Sequence, residues 1–325
     1  MAEDEPMPPS AGGGTAVPQH AQVAGEAAAR AASTAPPRQD VDDGWGAPGA
    51  AAPELEAALV VPPDQRAAAF FDVDNTIMRG ASIFYLARGL YQRNFFSLRD
   101  IAGFAWQQLS FLARGENMEH VDEIQARALS FVAGHSVAEM SAVGEEIFDE
   151  SMARKIWPGT RALARIHLAA GQRVWLVTAT PVEVAEVIAR RLGLTGALGT
   201  VAEHVDGVYT GRLVGSLLHG EAKVEAVRAL AEREGLDLAS CSAYSDSAND
   251  IPLLSLVGNP CAVNPDGALR AYAKAHGWRV RDYRTGRKAA RVGIPVAAVA
   301  GATVGAIMGA VAANRRFRRR RHPFP

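Results

Sequence analysis

Residues 67–76, AAAFFDVDNT, decide how this chain folds. Their apolar first half, Ala67–Phe71, is short enough to be either a buried strand or the start of a helix. The two consecutive phenylalanines and the polar break after them favour the strand. Asp72 and Asp74 then follow at its carboxyl end, where open α/β sheets bind ligands in a crevice. Two carboxylates at such a point can hold a divalent cation, or divide nucleophile and acid–base roles, and here we expect both.

The pattern Asp-x-Asp-x-Thr is weak on its own, because Asp, Asn and Thr are ordinary turn and helix-capping residues. Its meaning depends on the alternation of strands and helices along the rest of the chain. Further buried strands are predicted at Arg173–Val177, Cys241–Tyr244 and Pro260–Val263. Helices are predicted between the strands, with a hairpin around Asp206-Gly207. This order predicts an α/β fold with a doubly wound parallel sheet.

One long stretch, residues 79–151, interrupts this alternation directly after the first strand. Apolar residues recur there with helical spacing, and the candidate helices are residues 82–90, 100–112, 119–131 and 137–147. We therefore predict a small α-helical cap inserted into a core made of residues 63–78 and 152–285. We expect the aromatic residues of the cap to form its own core. The alternative is that they line an apolar substrate-binding face.

Polar side chains follow the predicted strands at one edge of the sheet. Thr178 follows the second strand and Lys223 lies at a helix start. Asp246, Asn249 and Asp250 follow the third strand. A hydroxyl, an ammonium group and two pairs of carboxylates suit phosphoryl transfer, because a phosphate needs charge-assisted donors. Carboxylates repel a phosphate dianion unless a cation offsets the repulsion, so the sequence predicts bound Mg²⁺.

This ordered set resembles the haloacid dehalogenase superfamily of phosphatases. The order is Asp-x-Asp-x-Thr, a strand-end Thr, a Lys and then Asp-x-x-x-Asp, and the resemblance covers residues 66–285. The helical insertion after the first motif resembles the members that have a small α-helical cap, of which phosphoserine phosphatase is the familiar one. The resemblance implies hydrolysis of a small-molecule phosphomonoester with Mg²⁺ as the cofactor.

The resemblance also implies a role for each matching residue in the reaction. Asp72 would be the nucleophile that forms an aspartyl-phosphate. Asp74 would protonate the leaving oxygen and then activate water. Thr178 would bind the transferring phosphoryl group, and Lys223 would neutralise charge on that group and on Asp72.

The metal ligands implied by the resemblance come from the same two motifs. Asp72, the backbone carbonyl of Asp74 and Asp246 would hold Mg²⁺. Asp250 would support the metal from its first or second coordination shell. Asn249 would contact the phosphate or a water molecule on the metal.

One position departs from the phosphoserine phosphatases. Those enzymes usually carry a glutamate, which receives the substrate ammonium, where this chain has Ala81 followed by Ser82. The departure counts against phosphoserine and leaves phosphomonoester hydrolysis intact. The substrate is therefore expected to be phosphoserine-like, or an amphiphilic phosphate such as a lysophosphatidate-like lipid, which the aromatic cap and the carboxyl-terminal run suggest.

The amino-terminal segment, residues 1–62, is acidic and poor in large apolar residues. It holds nine Asp and Glu against two Arg and is rich in Ala, Pro and Gly. Such a segment cannot bury enough apolar surface to offset its ordering entropy. We expect residues 1–62 to be disordered.

The carboxyl-terminal segment, residues 286–325, has the opposite character. Ile294–Ala313 is a run of 20 residues without charge, flanked by arginines on both sides. As a helix it would span roughly 30 Å, about one hydrocarbon core. We expect it to associate with the cell membrane, as a spanning helix or lying on an anionic surface, with the catalytic domain on the cytoplasmic side. The alternative is a soluble Ala-rich helix with a solvated basic tail.

Composition excludes some functions and leaves two alternatives to a phosphatase. A formal net charge of -1 gives no general case for nucleic-acid binding, and two cysteines do not make a disulfide framework. The alternatives are a catalytically inactive, membrane-tethered binding protein of the same fold, and a phosphomutase. The intact set of Asp72, Asp74, Lys223 and Asp246 argues against the inactive protein.

Overall fold

The fold is given by a computed structural model, which describes residues 17–33, 61–95 and 132–284. Its helices in these ranges are α1 (Gln19–Ser33), α2 (Ser82–Gln92), α3 (Val137–Ile147), α4 (Pro158–Ala169), α5 (Val182–Leu192), α6 (Glu221–Glu234), α7 (Ile251–Leu256) and α8 (Gly267–Ala275). Its strands are β1 (Ala68–Phe71), β2 (Arg173–Pro181), β3 (Gly196–Thr200), β4 (Ala202–Val205), β5 (Val208–Leu213), β6 (Ser242–Ser245), β7 (Asn259–Val263) and β8 (Arg279–Arg281). Short π and 3₁₀ turns cover Phe148–Met152, Ala153–Lys155 and Ala248–Asp250.

A six-stranded sheet in the order β3-β2-β1-β6-β7-β8 forms the centre of the fold. Strand β1 pairs in parallel with β2 on one side and with β6 on the other. The chain therefore builds the sheet outward in both directions from β1, and the strand order reverses between β1 and β6. A reversal of this kind opens a crevice beyond the carboxyl ends of the strands. The predicted α/β fold with a doubly wound parallel sheet is confirmed.

The first strand is held in place by buried rings beside it. All four residues of β1 are buried, as expected for a parallel strand covered on both faces. The ring of Phe71 stacks on Tyr244 of β6 with 4.2 Å between centroids. The Tyr244 hydroxyl lies 2.7 Å from Nε2 of His167, whose Nδ1 lies 2.7 Å from Gln172 Oε1. Burial lowers the pKa of His167, so this histidine is a neutral structural partner of β1 and β6.

Several boundaries differ from the sequence prediction. Strand β2 continues to Pro181, so Thr178 lies within the strand and not after it. Strands β3 and β8 were not predicted. Gly196 of β3 lies against Trp175, and a Cβ on that glycine would be 2.5 Å from the ring. The predicted hairpin is confirmed as β4 and β5, joined by Asp206 and Gly207 with φ of 50° and 75°.

The described part of the predicted cap is helical. Helices α2 and α3 confirm two of the predicted helices, and residues 100–112 and 119–131 lie outside the described residues. Helix α2 packs closely on α3, since a Cβ on Gly89 would meet the Ile147 side chain. Helix α3 lies against α5 of the core, where a Cβ on Gly144 would be 3.5 Å from Val184. Arg191 of α5 also pairs with an insertion carboxylate, Asp149, at 2.8 Å.

Helix α1 corrects the prediction that residues 1–62 are disordered, which is wrong for Gln19–Ser33. Its buried residues include Ala21, Ala24, Ala28, Ala29 and Ala32. These alanines join the apolar cluster of α6, and a Cβ on Gly25 would lie 2.6 Å from Glu225 Cβ. Alanine is the best helix former and lets two helices approach closely, so a helix docks here without large apolar residues. Residues 1–16 and 34–60 lie outside the described residues.

The predicted membrane segment, Ile294–Ala313, also lies outside the described residues, which end at residue 284. Within the part of the chain that the structure covers, no helix has both the length and the hydropathy needed to cross a membrane. Membrane association therefore stays a prediction.

Candidate active site

The first motif leaves β1 as a tightly held loop at the carboxyl edge of the sheet. The Asp72 N–H donates to the Tyr244 carbonyl at 2.9 Å, which ties the position of Asp72 to β6. Asn75 has a left-handed φ of 58°, which Asn tolerates better than most residues. The Asn264 side chain, buried after β7, donates from Nδ2 to the Asn75 carbonyl at 3.1 Å. Contacts with β6 and with the segment that follows β7 therefore fix the loop.

Lys223 joins two carboxylates from different strands. Its Nζ donates to Asp72 Oδ1 at 2.7 Å and to Asp250 Oδ2 at 2.8 Å. All three residues are buried, with exposures of 7% for Asp72, 3% for Lys223 and 3% for Asp250. Asp250 Oδ2 also accepts from Ser245 Oγ at 2.7 Å. The second Asp of the Asp-x-x-x-Asp motif therefore holds the lysine that contacts the first motif.

The charges of this cluster do not balance. Burial raises the pKa of Asp72 to about 7; Lys223 acts in the opposite direction, and Asp250 reinforces the rise. Burial also lowers the pKa of Lys223, but Asp72 and Asp250 outweigh it and raise that pKa overall. The lysine is thus firmly cationic, and one cation serves two buried carboxylates.

A third carboxylate adds to the negative charge. Burial, reinforced by Asp250 and Asp266, raises the pKa of Asp246 to about 7, while hydrogen bonds with its own backbone N–H and with the Asn75 side chain oppose the rise. The Asp246 carbonyl accepts from the Asp266 N–H at 2.8 Å, which ties the loop after β6 to the start of α8. Asp250 thus acts electrostatically on both Asp72 and Asp246.

The cluster fits a divalent cation. Asp250 Oδ1 is buried and has no hydrogen-bond partner among the described residues. Buried charge without compensation is costly, so a cation would stabilise this arrangement. The described ranges contain no group of three or more His, Cys, Asp or Glu side chains that could hold a metal by themselves. A site made of Asp72, Asp246 and the main-chain carbonyl of Asp74 would therefore need water as further ligands, which Mg²⁺ characteristically keeps.

Asp74 is held by residues that the sequence analysis did not include in the site. Its Oδ1 accepts from the Ser82 N–H at 2.8 Å and also from the Ser82 hydroxyl. The Ser82 hydroxyl shares a further hydrogen bond with Thr180, and Thr178 Oγ1 donates to Thr180 Oγ1 at 3.2 Å. One signal was available: Thr180 lies two residues after Thr178 in a strand, on the same face.

The predicted site residues thus fall into two connected groups, with Asp246 and Asn249 outside them. Asp72, Lys223 and Asp250 are in direct contact, and Thr178 is linked to Asp74 through intervening hydroxyls. Asn249 is exposed in the 3₁₀ turn after β6, where its N–H donates to Ser247 Oγ at 3.2 Å. Its predicted contact with phosphate stays a prediction.

The fold and the site define a class, the phosphatases built on a parallel α/β sheet. The chain belongs to the haloacid dehalogenase-like hydrolases, whose family model matches residues 69–255. It is 57% identical over 258 residues to a phosphoserine phosphatase of Mycobacterium tuberculosis, covering 79% of this chain and 83% of the relative. It is 33% identical over 253 residues to a probable phosphatase of the same species, covering 78% of this chain and 88% of that protein.

A solved structure shares the fold. The crystal structure of a Bordetella pertussis protein of unknown function matches with a TM-score of 0.59 and 34% identity. The match covers 67% of this chain and 99% of that one. The resemblance seen in the sequence is confirmed at the level of the family and of phosphatase activity.

Proposed function

We propose that the chain is a Mg²⁺-dependent phosphomonoester hydrolase that works through an aspartyl-phosphate on Asp72. The observation that carries the proposal is the buried contact of Lys223 with Asp72 and Asp250, at 2.7 and 2.8 Å. A carboxylate nucleophile must be ionised and fixed in place; Lys223 opposes the rise in the pKa of Asp72 and holds its Oδ1. Lys223 contacts Oδ1 of Asp72, which leaves Oδ2 to attack phosphorus.

The reaction proceeds in two steps. Asp72 Oδ2 attacks phosphorus and the bond to the ester oxygen breaks, while Asp74 donates a proton to that leaving oxygen. Water then attacks the aspartyl-phosphate as Asp74 accepts the water proton, and inorganic phosphate leaves. Lys223 stabilises the transferring oxygens by charge, and Thr178 does so by turning its hydroxyl from Thr180 to a phosphoryl oxygen when substrate binds. A Mg²⁺ held by Asp72, Asp246 and the Asp74 carbonyl would supply the positive charge that allows a phosphate dianion to approach the carboxylates.

For the substrate, we propose phosphoserine or a similar small phosphomonoester as the first class to examine. The support is the similarity to a phosphoserine phosphatase of Mycobacterium tuberculosis. Ala81 offers no carboxylate for a substrate ammonium, and Ser82 already bonds to Asp74. An amphiphilic phosphate is the second candidate, favoured by Ile83 and Phe84 at the start of α2, which are 50% and 61% exposed. The predicted membrane association of Ile294–Ala313 would bring the enzyme to such a substrate.

The test is release of inorganic phosphate by the purified full-length protein. The substrates are L-phosphoserine, a sugar phosphate, a nucleotide and a lysophosphatidate in detergent, each with Mg²⁺ and with EDTA. We expect release that depends on Mg²⁺ with at least one substrate. Turnover that persists in EDTA would contradict the metal requirement. Isomerised phosphate ester without free phosphate would identify a phosphomutase, and binding without either product would identify an inactive binding protein.

A further inference from the structure

We propose that Ser82 and Thr180 are positioning residues that orient Asp74 as the general acid. They form a hydroxyl relay, which we define as the hydrogen-bonded series Thr178, Thr180, Ser82 and Asp74. This inference rests on the proposed function and extends it, because it explains how Asp74 is oriented toward the leaving group.

The relay is built from buried side chains of two different parts of the fold. Ser82 is 0% exposed, and Thr178 and Thr180 are each 2% exposed. Thr178 and Thr180 lie in β2 of the core, whereas Ser82 is the first residue of α2 in the insertion. Buried hydroxyl groups are costly unless they are hydrogen-bonded, so this series is held in one arrangement.

The direction of the protons along the relay follows from its two ends. Asp74 Oδ1 accepts from the Ser82 N–H and so carries no proton itself, which makes the Ser82 hydroxyl the donor of the second hydrogen bond to Oδ1. The Ser82 oxygen is then free to accept from Thr180, which in turn accepts from Thr178 at 3.2 Å. Each hydroxyl therefore donates once along the series toward Asp74. Asp74 also accepts from the Ser82 N–H at 2.8 Å. This N–H lies in the first turn of α2, where it has no acceptor within its own helix.

The relay selects which oxygen of Asp74 carries the proton. Within the described residues, the hydrogen bonds recorded for the Asp74 side chain, both from Ser82, end on Oδ1. The proton donated to a leaving group must then come from Oδ2. Because Oδ1 is held against Ser82, Oδ2 is turned away from Ser82. Because Ser82 is the first residue of α2, the orientation of the Asp74 carboxyl group depends on the position of the insertion relative to β2. Losing the Ser82 hydroxyl should loosen the general acid without removing the nucleophile.

The test compares Ser82→Ala with Ser82→Thr in the full-length enzyme. The substrates are an alkyl phosphate, whose leaving oxygen needs a proton, and p-nitrophenyl phosphate, whose leaving group does not. We expect Ser82→Ala to lower kcat/KM on the alkyl phosphate by about tenfold or more, since the hydrogen bond that orients Asp74 is lost. On p-nitrophenyl phosphate we expect less than about a threefold loss in kcat/KM, a quantity that reports phosphoryl transfer and not the later attack of water. Ser82→Thr should restore most of the loss, because it returns a hydroxyl to the same position.

Matched variants separate positioning from folding. Ser151→Ala removes a hydroxyl of the insertion that donates to the Ile147 carbonyl, and it should leave both rates unchanged. Thr180→Val removes the next hydroxyl while keeping the side-chain shape, so it should show the same substrate dependence to a smaller degree. Ser82→Ala introduced into Asp74→Asn should cause no further loss on the alkyl phosphate, because the positioned group is already gone.

The outcomes separate the relay from the proposed function. Equal losses on the two substrates, or a full Ser82→Ala effect on top of Asp74→Asn, would overturn the relay while leaving hydrolysis intact. If Ser82→Ala fails to fold, Thr180→Val decides, and an equal loss on both substrates would overturn the relay. A wild-type enzyme that hydrolyses neither ester would overturn the proposed function and the relay with it.

Discussion

Helix α6 has one side in the candidate active site and another against α1, and the two contacts follow opposite rules. In its first turn, Lys223 contacts two buried carboxylates, which are expensive to bury and which we propose are present for their chemistry. Farther along, Ala226 and Leu230 join an apolar cluster with the alanines of α1. The comparison teaches that one helix can position a charged group for the proposed reaction at its start and contribute apolar packing along the rest of its length. Substitutions on the two sides should therefore change different observables.

The largest expected effect is on activity alone. Asp72→Asn removes the nucleophile, so kcat should fall by more than about 10³-fold. The free energy of unfolding should change by about 1 kcal/mol or less, because the amide oxygen can still accept from Lys223, which also keeps Asp250. Initial rates and urea unfolding measure the two quantities. Asp206→Asn, in a hairpin turn at φ 50° that Asn tolerates, is the matched control and should change neither.

The next variant should change both observables. Lys223→Ala leaves Asp72 and Asp250 buried without their cation, so we expect a loss of about 3–5 kcal/mol in unfolding free energy together with loss of activity. Lys274→Ala, an exposed lysine of α8, is the control for a helix lysine. Urea unfolding at neutral pH measures the stability. A Lys223→Ala protein as stable as wild type would mean that the buried charges are compensated in some other way.

The α1 side should give the reverse pattern. Gly25→Leu forces a side chain into the contact with Glu225, which should destabilise the protein by about 1–3 kcal/mol while kcat stays at the wild-type value. Val23→Leu, on the 42% exposed side of α1, is the control. Thermal unfolding and steady-state rates measure the outcome. A large fall in kcat for folded Gly25→Leu would show that α1 also shapes the active site.

The smallest expected effect is on the pH dependence of stability when no metal is bound. The pKa of Asp246 is raised to about 7 from 3.8, so the folded state favours its protonated form. The resulting stabilisation is complete below pH 3.8 and is lost as the pH rises through 7. Asp246→Asn, which stays neutral, should therefore gain stability over wild type as the pH rises from 5 to 8, by about 1 kcal/mol after solvent screening.

Mg²⁺ provides the control for this pH effect. The metal should stabilise wild type more at pH 8 than at pH 5, because it binds the ionised carboxylates, and should stabilise Asp246→Asn less. Thermal unfolding in EDTA and in Mg²⁺ at the two pH values measures both trends. A difference between variant and wild type that does not vary with pH would contradict the raised pKa of Asp246.

Much of the active-site side could be predicted from the sequence. Strand β1 and the polar residues after it are marked by a sharp change from apolar to charged residues, and parallel strands bring such ends together. The contact of Lys223 with Asp72 could be anticipated only through the family resemblance, since nothing local in α6 distinguishes this lysine from an exposed one, and its contact with Asp250 was not predicted. The hairpin at Asp206 followed directly from turn chemistry.

The α1 side could not be predicted in the same way. Sequence patterns weigh large apolar residues, and α1 docks with alanines, whose spacing carries a helical period but little hydropathy. Strand β3 was missed for a related reason, because it contains two glycines, one of which, Gly196, lies against the Trp175 ring. Ser82 and Thr180 were missed because hydroxyl groups at helix starts and in strands usually serve ordinary structural purposes. Their partners become visible only once β2 and α2 are placed together.

The central claim is that a phosphoryl group is transferred to Asp72, and trapping that intermediate tests it most directly. Full-length enzyme turning over its best substrate with Mg²⁺ is quenched in acid, and its peptides are analysed by mass spectrometry, with borohydride reduction of a parallel sample. The account predicts a phosphoryl group on the peptide that contains Asp72, conversion of that residue to homoserine by borohydride, and neither product in Asp72→Asn. Substrate turnover with no modification of Asp72, or with the phosphoryl group on another residue, would contradict it.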